Sequence, residues 1–162
     1  MADVRYRLAQ INIARMRAPL ADPLMADFVA NLNPVNELAD RSPGFVWRFQ
    51  TEDGDATAVR PYDDDRIIIN FSVWEDLAPL RDFVYRSGHN HFMKRRREWF
   101  ERLTDGYLAL WWVPRDHRPT IAEAVERMEH LKRHGPSIVA FTFRDCFSAP
   151  VMSTSWHTNC VC

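Results

Sequence analysis

The run from Tyr85 to Phe100 holds His89, His91, the basic block Lys94-Arg95-Arg96-Arg97 and the pair Trp99-Phe100, and Trp111-Trp112 follow soon after. Imidazole can give or take a proton near neutral pH. A guanidinium fork can hold a carboxylate or a carbonyl oxygen that gains charge. Indole supplies flat apolar walls that suit an aromatic ligand. The chemistry on offer is therefore acid–base work on an aromatic or conjugated carbonyl compound. His89 is the first candidate for base or acid, because it follows the break at Ser87-Gly88 and so begins a helical piece. Arg96 shares a face with it at a spacing of seven on one continuous helix, and the other basic residues are expected to be solvated. His91 has a poorer phase and is expected to be exposed.

A second signal comes from polar residues in strand-like stretches. Alternation puts Gln10 and Asn12 on one face of the first strand, and Asn70, Ser72 and Trp74 on one face of the strand Arg66–Trp74. A sheet covered by helices ordinarily carries Val, Ile and Leu there. Repeated amides point to a wet or ligand-filled cavity with apolar walls and a few polar groups. The competing reading is a hydrogen-bonded polar cluster satisfied by backbone. Asn70 joins His89 and Arg96 as a catalytic candidate. The candidate binding residues are Asn12, Trp47, Trp74, Tyr85, Trp99 and Trp112, although tryptophan also simply fills cores.

Those residues need a frame. The 162 residues suit one domain with a real core, and 46% hydrophobic and 12% aromatic content fit a globular protein. A net charge of −1 lacks the basic excess of a nucleic-acid binder. No apolar run approaches a membrane span, and the first residues show no signal-peptide core, so no membrane partner and a cytoplasmic location are expected. Strands are expected over Tyr6–Met16, Phe45–Phe49, Arg66–Trp74, Tyr107–Val113 and Ile138–Phe147. Asp22-Pro23, Glu75 or Asp76, and Pro119-Thr120 open helices. Pro34 is expected to kink or break the first of these, with a second helical piece over Val35–Asp40, and Cys146 to be a packed thiol in the last strand.

The order βαββαβ with an additional αβ is the split βαβ, ferredoxin-like arrangement: an α+β fold whose antiparallel sheet carries helices on one face. The other face would then be bare and would be buried by a second copy, which predicts a homodimer. There is no Gly-rich phosphate loop, nucleophile elbow, HExxH or CxxC. The run Pro61 to Asp65 lacks the glycine and terminal Glu of a calcium loop and reads as solvated.

The stretches Leu8–Arg15, Asp27–Asn31, Gly44–Arg48, Asp53–Thr57, Asn70–Trp74, Phe83–His89, Arg97–Phe100, Leu110–Val113 and Gly135–Ser137 resemble, in order, the domain of unknown function 3291 family. The resemblance runs from Leu8 to Phe147. It implies a dimeric α+β barrel, similar to antibiotic-biosynthesis monooxygenases and haem-degrading oxygenases. It also implies a small-molecule enzyme of secondary metabolism, such as a cofactor-independent oxygenase, cyclase or isomerase. No cofactor is expected, with haem on His89 or His91 open as an alternative.

Residues 148–162 stand apart from the domain of residues 1–147 as a Ser/Thr/Cys-containing tail. His157, Cys160 and Cys162 have ligand types suited to zinc or copper(I). A non-catalytic alternative makes the domain a leader or scaffold that presents this tail to a modifying enzyme.

Overall fold

A computed structural model describes residues 5–151 apart from 53, 88 and 104–106, with backbone alone at 89 and 90. Its centre is β1 (Tyr6–Arg15), which pairs antiparallel with β3 (Ile67–Trp74) on one side and β4 (Leu108–Pro114) on the other. The short β2 (Phe45–Arg48) adds to β3 through an irregular register between Phe45 and Trp47. The sheet order β2-β3-β1-β4 is the ferredoxin-like one. The fold is α+β, as the alternation of strand and helix signals implied.

Helix starts follow local chemistry. The Asp22 side chain accepts from the Leu24 amide and opens a short 3₁₀ turn (Pro23–Met25) that leads into α1 (Ala26–Asp40). Asp76 caps α2 (Leu77–Arg86) and Thr120 caps α5 (Ile121–His134), each side chain accepting an otherwise orphaned N–H. Pro34 does not break α1, contrary to expectation. Both Pro34 and Ala30 are exposed, so the Ala30 carbonyl that loses its helical donor can turn to water.

α1 and α2 cover the face of the sheet that carries Leu8, Gln10 and Asn12. Leu80 and Ala39 are buried against Leu8, Trp74 and Leu110, while Phe28 packs with Met16, Ile68 and Trp99. The opposite face is not bare. Ala124, Met128 and Leu131 of α5 are buried against Ile11, Phe71, Trp111 and Val113, and Ala56, Val59 and Tyr62 of the long β2–β3 connection close the rest. The face expected to bury itself on a second copy is covered by the chain's own last helix.

The segment after α5 also differs from expectation. Instead of a strand over Ile138–Phe147, only Phe141 pairs, in an isolated bridge to Leu110. Turns closed by Ser137 N–H to the Ala140 carbonyl, and by Asp145 N–H to Thr142 Oγ1, bend the chain away from the sheet edge on both sides of that bridge. Cys146 is consequently exposed rather than packed.

Candidate functional site

Cross-strand register decides what meets on the covered face. Leu8 lies opposite Trp74, Gln10 opposite Ser72, Asn12 opposite Asn70 and Ala14 opposite Ile68. The two outer rows are apolar and belong to separate clusters, one under α2 and one under the start of α1. The two middle rows are polar. A polar strip thus crosses the face between two greasy blocks.

The strip is wired from its buried end. Gln10 is 5% exposed and Ser72 6%. The Gln10 Nε2 amide donates to Asn70 Oδ1 at 2.6 Å and to Ser72 Oγ at 2.8 Å, and Trp74 Nε1 donates to the same Ser72 oxygen at 2.9 Å. Both hydrogens of the Gln10 amide are spent, and the Ser72 oxygen is held by two donors. Asn70 Oδ1 is therefore turned inward, which aims its Nδ2 donors outward at the end of the network. Asn70 itself is exposed and Asn12 is half-buried, so the cover over this end of the strip is open.

The α2–α3 junction comes next. α2 ends at Arg86, and Ser87 is extended with its hydroxyl donated back to the Phe83 carbonyl. α3 (His89–Lys94) follows, then α4 (Arg96–Trp99). The sequence expectation of one helix through Arg96 fails at Arg95, which takes a turn conformation and starts the second piece. Arg95 is anchored by Asp27 at 2.8 Å and Glu98 at 2.7 Å, with its guanidinium 4.8 Å over the Trp99 ring. Those contacts fix the break, and the seven-residue spacing from His89 to Arg96 no longer sets a shared face.

The candidates sort accordingly. Asn12 and Asn70 come together on the strip, with Trp74 in the apolar row that borders it. Trp74 is buried, edge-on to Phe45 and close to Phe83. Trp112 flanks the same face beside Leu8 and donates its Nε1 to the Phe147 carbonyl at 2.7 Å, so it holds the C-terminal segment. Trp47 lies on the other face against Phe71, under the Arg118 guanidinium. Trp99 is core, 2% exposed among Phe28 and Phe92. Trp47 and Trp99 leave the site because the register and the Arg95 break put them elsewhere.

Tyr85 and Arg96 line a groove of about 310 Å³ together with Val84, Met93, Lys94 and Arg97, on the outside of the helical layer. His91 is exposed, as expected. The side chain of His89 and the tail residues His157, Cys160 and Cys162 lie outside the described residues. Among the described residues no group of three or more His, Cys, Asp or Glu could hold a metal ion. No helix among them is long and apolar enough to cross a membrane.

Gln10 was not among the candidates, although alternation had already placed it on the polar face. The missing signal was burial: a lone Gln in a strand looks like an exposed edge until its neighbours are known. Away from the strip, Asp64 of the supposedly solvated acidic run bonds Arg15 at 2.7 Å, and Glu101 bonds the same guanidinium. The Arg15 hydrogen bond, then that from the Arg66 amide, holds the Asp64 carboxyl below its ordinary range.

A family model described as Domain of unknown function (DUF3291) matches residues 7–157. The match runs past Phe147 into the segment that the sequence reading set apart. No curated protein matches the chain. Among solved structures, SnoaB, a cofactor-independent oxygenase from Streptomyces nogalater, is 17% identical over 71% of this chain and 96% of its own, with TM-score 0.46. PA3566 from Pseudomonas aeruginosa is 12% identical over 72% of this chain and 100% of its own, at TM-score 0.47. The NE2512 protein of unknown function from Nitrosomonas europaea is 14% identical over 73% and 97%, at TM-score 0.45. Likenesses this distant carry nothing about chemistry.

Proposed function

The chain belongs to the DUF3291 family, and we propose that it is a small-molecule enzyme acting on an aromatic or conjugated carbonyl compound bound over the polar strip. The observation that carries this reading is the Gln10 amide, which spends both hydrogens inside the network and so presents the Asn70 Nδ2 donors to the open end. An oriented donor of that kind serves a carbonyl oxygen, and serves it better as the oxygen gains charge. Asn12, opposite Asn70 in the register, is the second donor. Trp74, Phe83 and Leu110 form the apolar wall on one side.

In this reading His89, which opens α3, is the general base. It takes a proton from the carbon next to the carbonyl, the C–H electron pair moves into the conjugated system, and Asn70 and Asn12 hold the resulting enolate oxygen. Return of the proton at another carbon gives isomerisation, and attack of the carbanion on a second carbonyl gives cyclisation. With dioxygen as co-substrate, the carbanion's electrons pass to oxygen and the outcome is oxygenation. The scheme uses no bound cofactor. It rests on the strip and not on fold likeness, since one fold hosts many activities.

The test is incubation under air with a panel of aromatic and conjugated ketones, followed by absorbance and product mass. Turnover that drops about 100-fold or more in both Asn70→Ala and His89→Ala supports the reading. Turnover indifferent to both substitutions sinks it.

A second reading is favoured by how the chain leaves the domain. Phe141 exchanges two backbone hydrogen bonds with Leu110, and Trp112 grips the Phe147 carbonyl, so the start of the Cys-containing tail is fixed beside the same face. The domain would then present the tail to a modifying enzyme. Intact-mass measurement of protein from its native host decides this: loss of water or cleavage in the tail supports presentation, and an unmodified full-length mass refutes it.

A further inference from the structure

Four consecutive basic residues, Lys94 to Arg97, behave in two ways. Arg95 is consumed by structure, bridged to Asp27 and Glu98 and stacked on Trp99. Lys94, Arg96 and Arg97 are exposed, and among the described residues none of the three side chains meets a carboxylate. Arg7, Arg15, Arg48, Arg86 and Arg115 each find one. The three unpaired cations instead line one groove of about 310 Å³, whose remaining lining is Val84, Tyr85 and Met93, with no acidic residue.

The apolar part of the lining is held in place. The Tyr85 ring meets Phe143 edge-on at 5.7 Å, and Arg81 fixes Phe143 from above while donating to its carbonyl. The groove thus has a ring, an aliphatic wall and a flexible thioether on one side, and two guanidinium groups with an ammonium on the other. Its volume sits at the small end of ligand sites.

We propose that this groove binds an organic anion: a compact carboxylate or phosphate head on a short aromatic or aliphatic body. The cations take the head, with the arginine forks suited to paired oxygens. Val84, Tyr85 and Met93 take the body, the thioether adapting to its outline. The groove lies outside the polar strip, so the proposal stands whether or not the strip performs chemistry.

The test is calorimetric titration of the full-length protein with 1-naphthoate, 1-naphthyl phosphate, the uncharged 1-naphthalenemethanol and inorganic phosphate. At least one of the two organic anions should bind. The neutral alcohol and inorganic phosphate should each bind about tenfold or more weakly than it, because each lacks half of the recognition. Whichever organic anion binds more tightly identifies the head. The double substitution Arg96→Gln with Arg97→Gln should weaken that anion about tenfold, while Arg133→Gln on the exposed flank of α5 should leave it unchanged. Raising the salt to about 0.5 M should weaken it too. Equal binding of the neutral alcohol, or anion binding unchanged in a folded Arg96→Gln/Arg97→Gln protein, overturns the proposal.

Discussion

Replacing Gln10 by leucine separates a strip kept polar for a ligand from one kept polar for the fold. Gln10 makes two neutral hydrogen bonds through one amide nitrogen, and each contributes about 1 kcal/mol net, so about 2 kcal/mol is lost. Little is left unsatisfied afterwards. Ser72 Oγ keeps the Trp74 indole donor at 2.9 Å, and Asn70 is exposed, so its freed Oδ1 finds water. Leucine in the same 5%-exposed position returns about 1.5–2 kcal/mol of apolar burial against Leu110 and its neighbours. The sum lies within about 1 kcal/mol of zero. Gln10→Ala gains no such burial and leaves a cavity, so it should cost about 3 kcal/mol. Urea unfolding at pH 7 reads both. If Gln10→Leu costs more than about 3 kcal/mol, the amide is there for the fold and not to aim Asn70. If stability holds while turnover or binding of the carbonyl ligand falls, the strip is functional.

Four further outcomes are expected. The Tyr62 hydroxyl is buried with no hydrogen-bond partner among the described residues, and burial, with help from Glu129, pushes its pKa up to about 12. The fold holds the neutral phenol, so this stabilisation is full below the unfolded value near 10 and is lost as pH rises through about 12. Tyr62→Phe should leave stability at pH 7 unchanged or slightly higher and should blunt that alkaline loss, read by urea midpoints at pH 7 and about 11. The Asp64 carboxyl is depressed by Arg15, so its contribution is present above the unfolded value near 4 and vanishes as pH falls through the lower folded value. Asp64→Asn should lower the thermal midpoint at pH 7 and narrow the gap between midpoints at pH 7 and about 3. Trp99→Ala empties an aromatic core site and should cost about 3–5 kcal/mol in urea unfolding. Gly44 has φ +79°, and a Cβ there would sit 2.5 Å from Pro79 Cβ, so Gly44→Ala should lose about 1–3 kcal/mol in the same assay.

The four strands were legible because alternation is a strong signal when one face is apolar throughout: Ala9, Ile11 and Ile13 face Ile69, Phe71 and Val73, with Ala109, Trp111 and Val113 beyond. Helix starts at Asp76 and Thr120 were legible because caps are local chemistry. What failed depended on distant partners. Arg95 breaks its helix where Asp27, 68 residues away in sequence, pairs with it. The segment Ile138–Phe147 has strand composition, yet its two turns leave only Phe141 in register. The amphipathic pattern of α5 announced a covered face but not which one. On the site, pattern put Asn12 and Asn70 each on the polar face of its own strand, while the register that sets them opposite each other and the role of Gln10 became visible only in the structure.

The two faces of the sheet divide the work, and that division bears on function. The face closed by α5 is apolar without interruption, from Ile13 through Phe71 and Trp111 to Met128. The other face has apolar ends and a polar middle, which a helix-covered sheet does not need for stability. Polar side chains in such a place forgo up to about 2 kcal/mol of apolar burial per residue relative to leucine. They recover it only where hydrogen bonds are complete, as for Gln10 and Ser72, or where water or a ligand enters, as at Asn70. A chain that can build a continuous apolar face on one side, and interrupts it on the other with one buried polar row and one open one, is specifying a binding surface. The complete half of the network holds that surface still, and the open half is where a ligand's oxygen belongs.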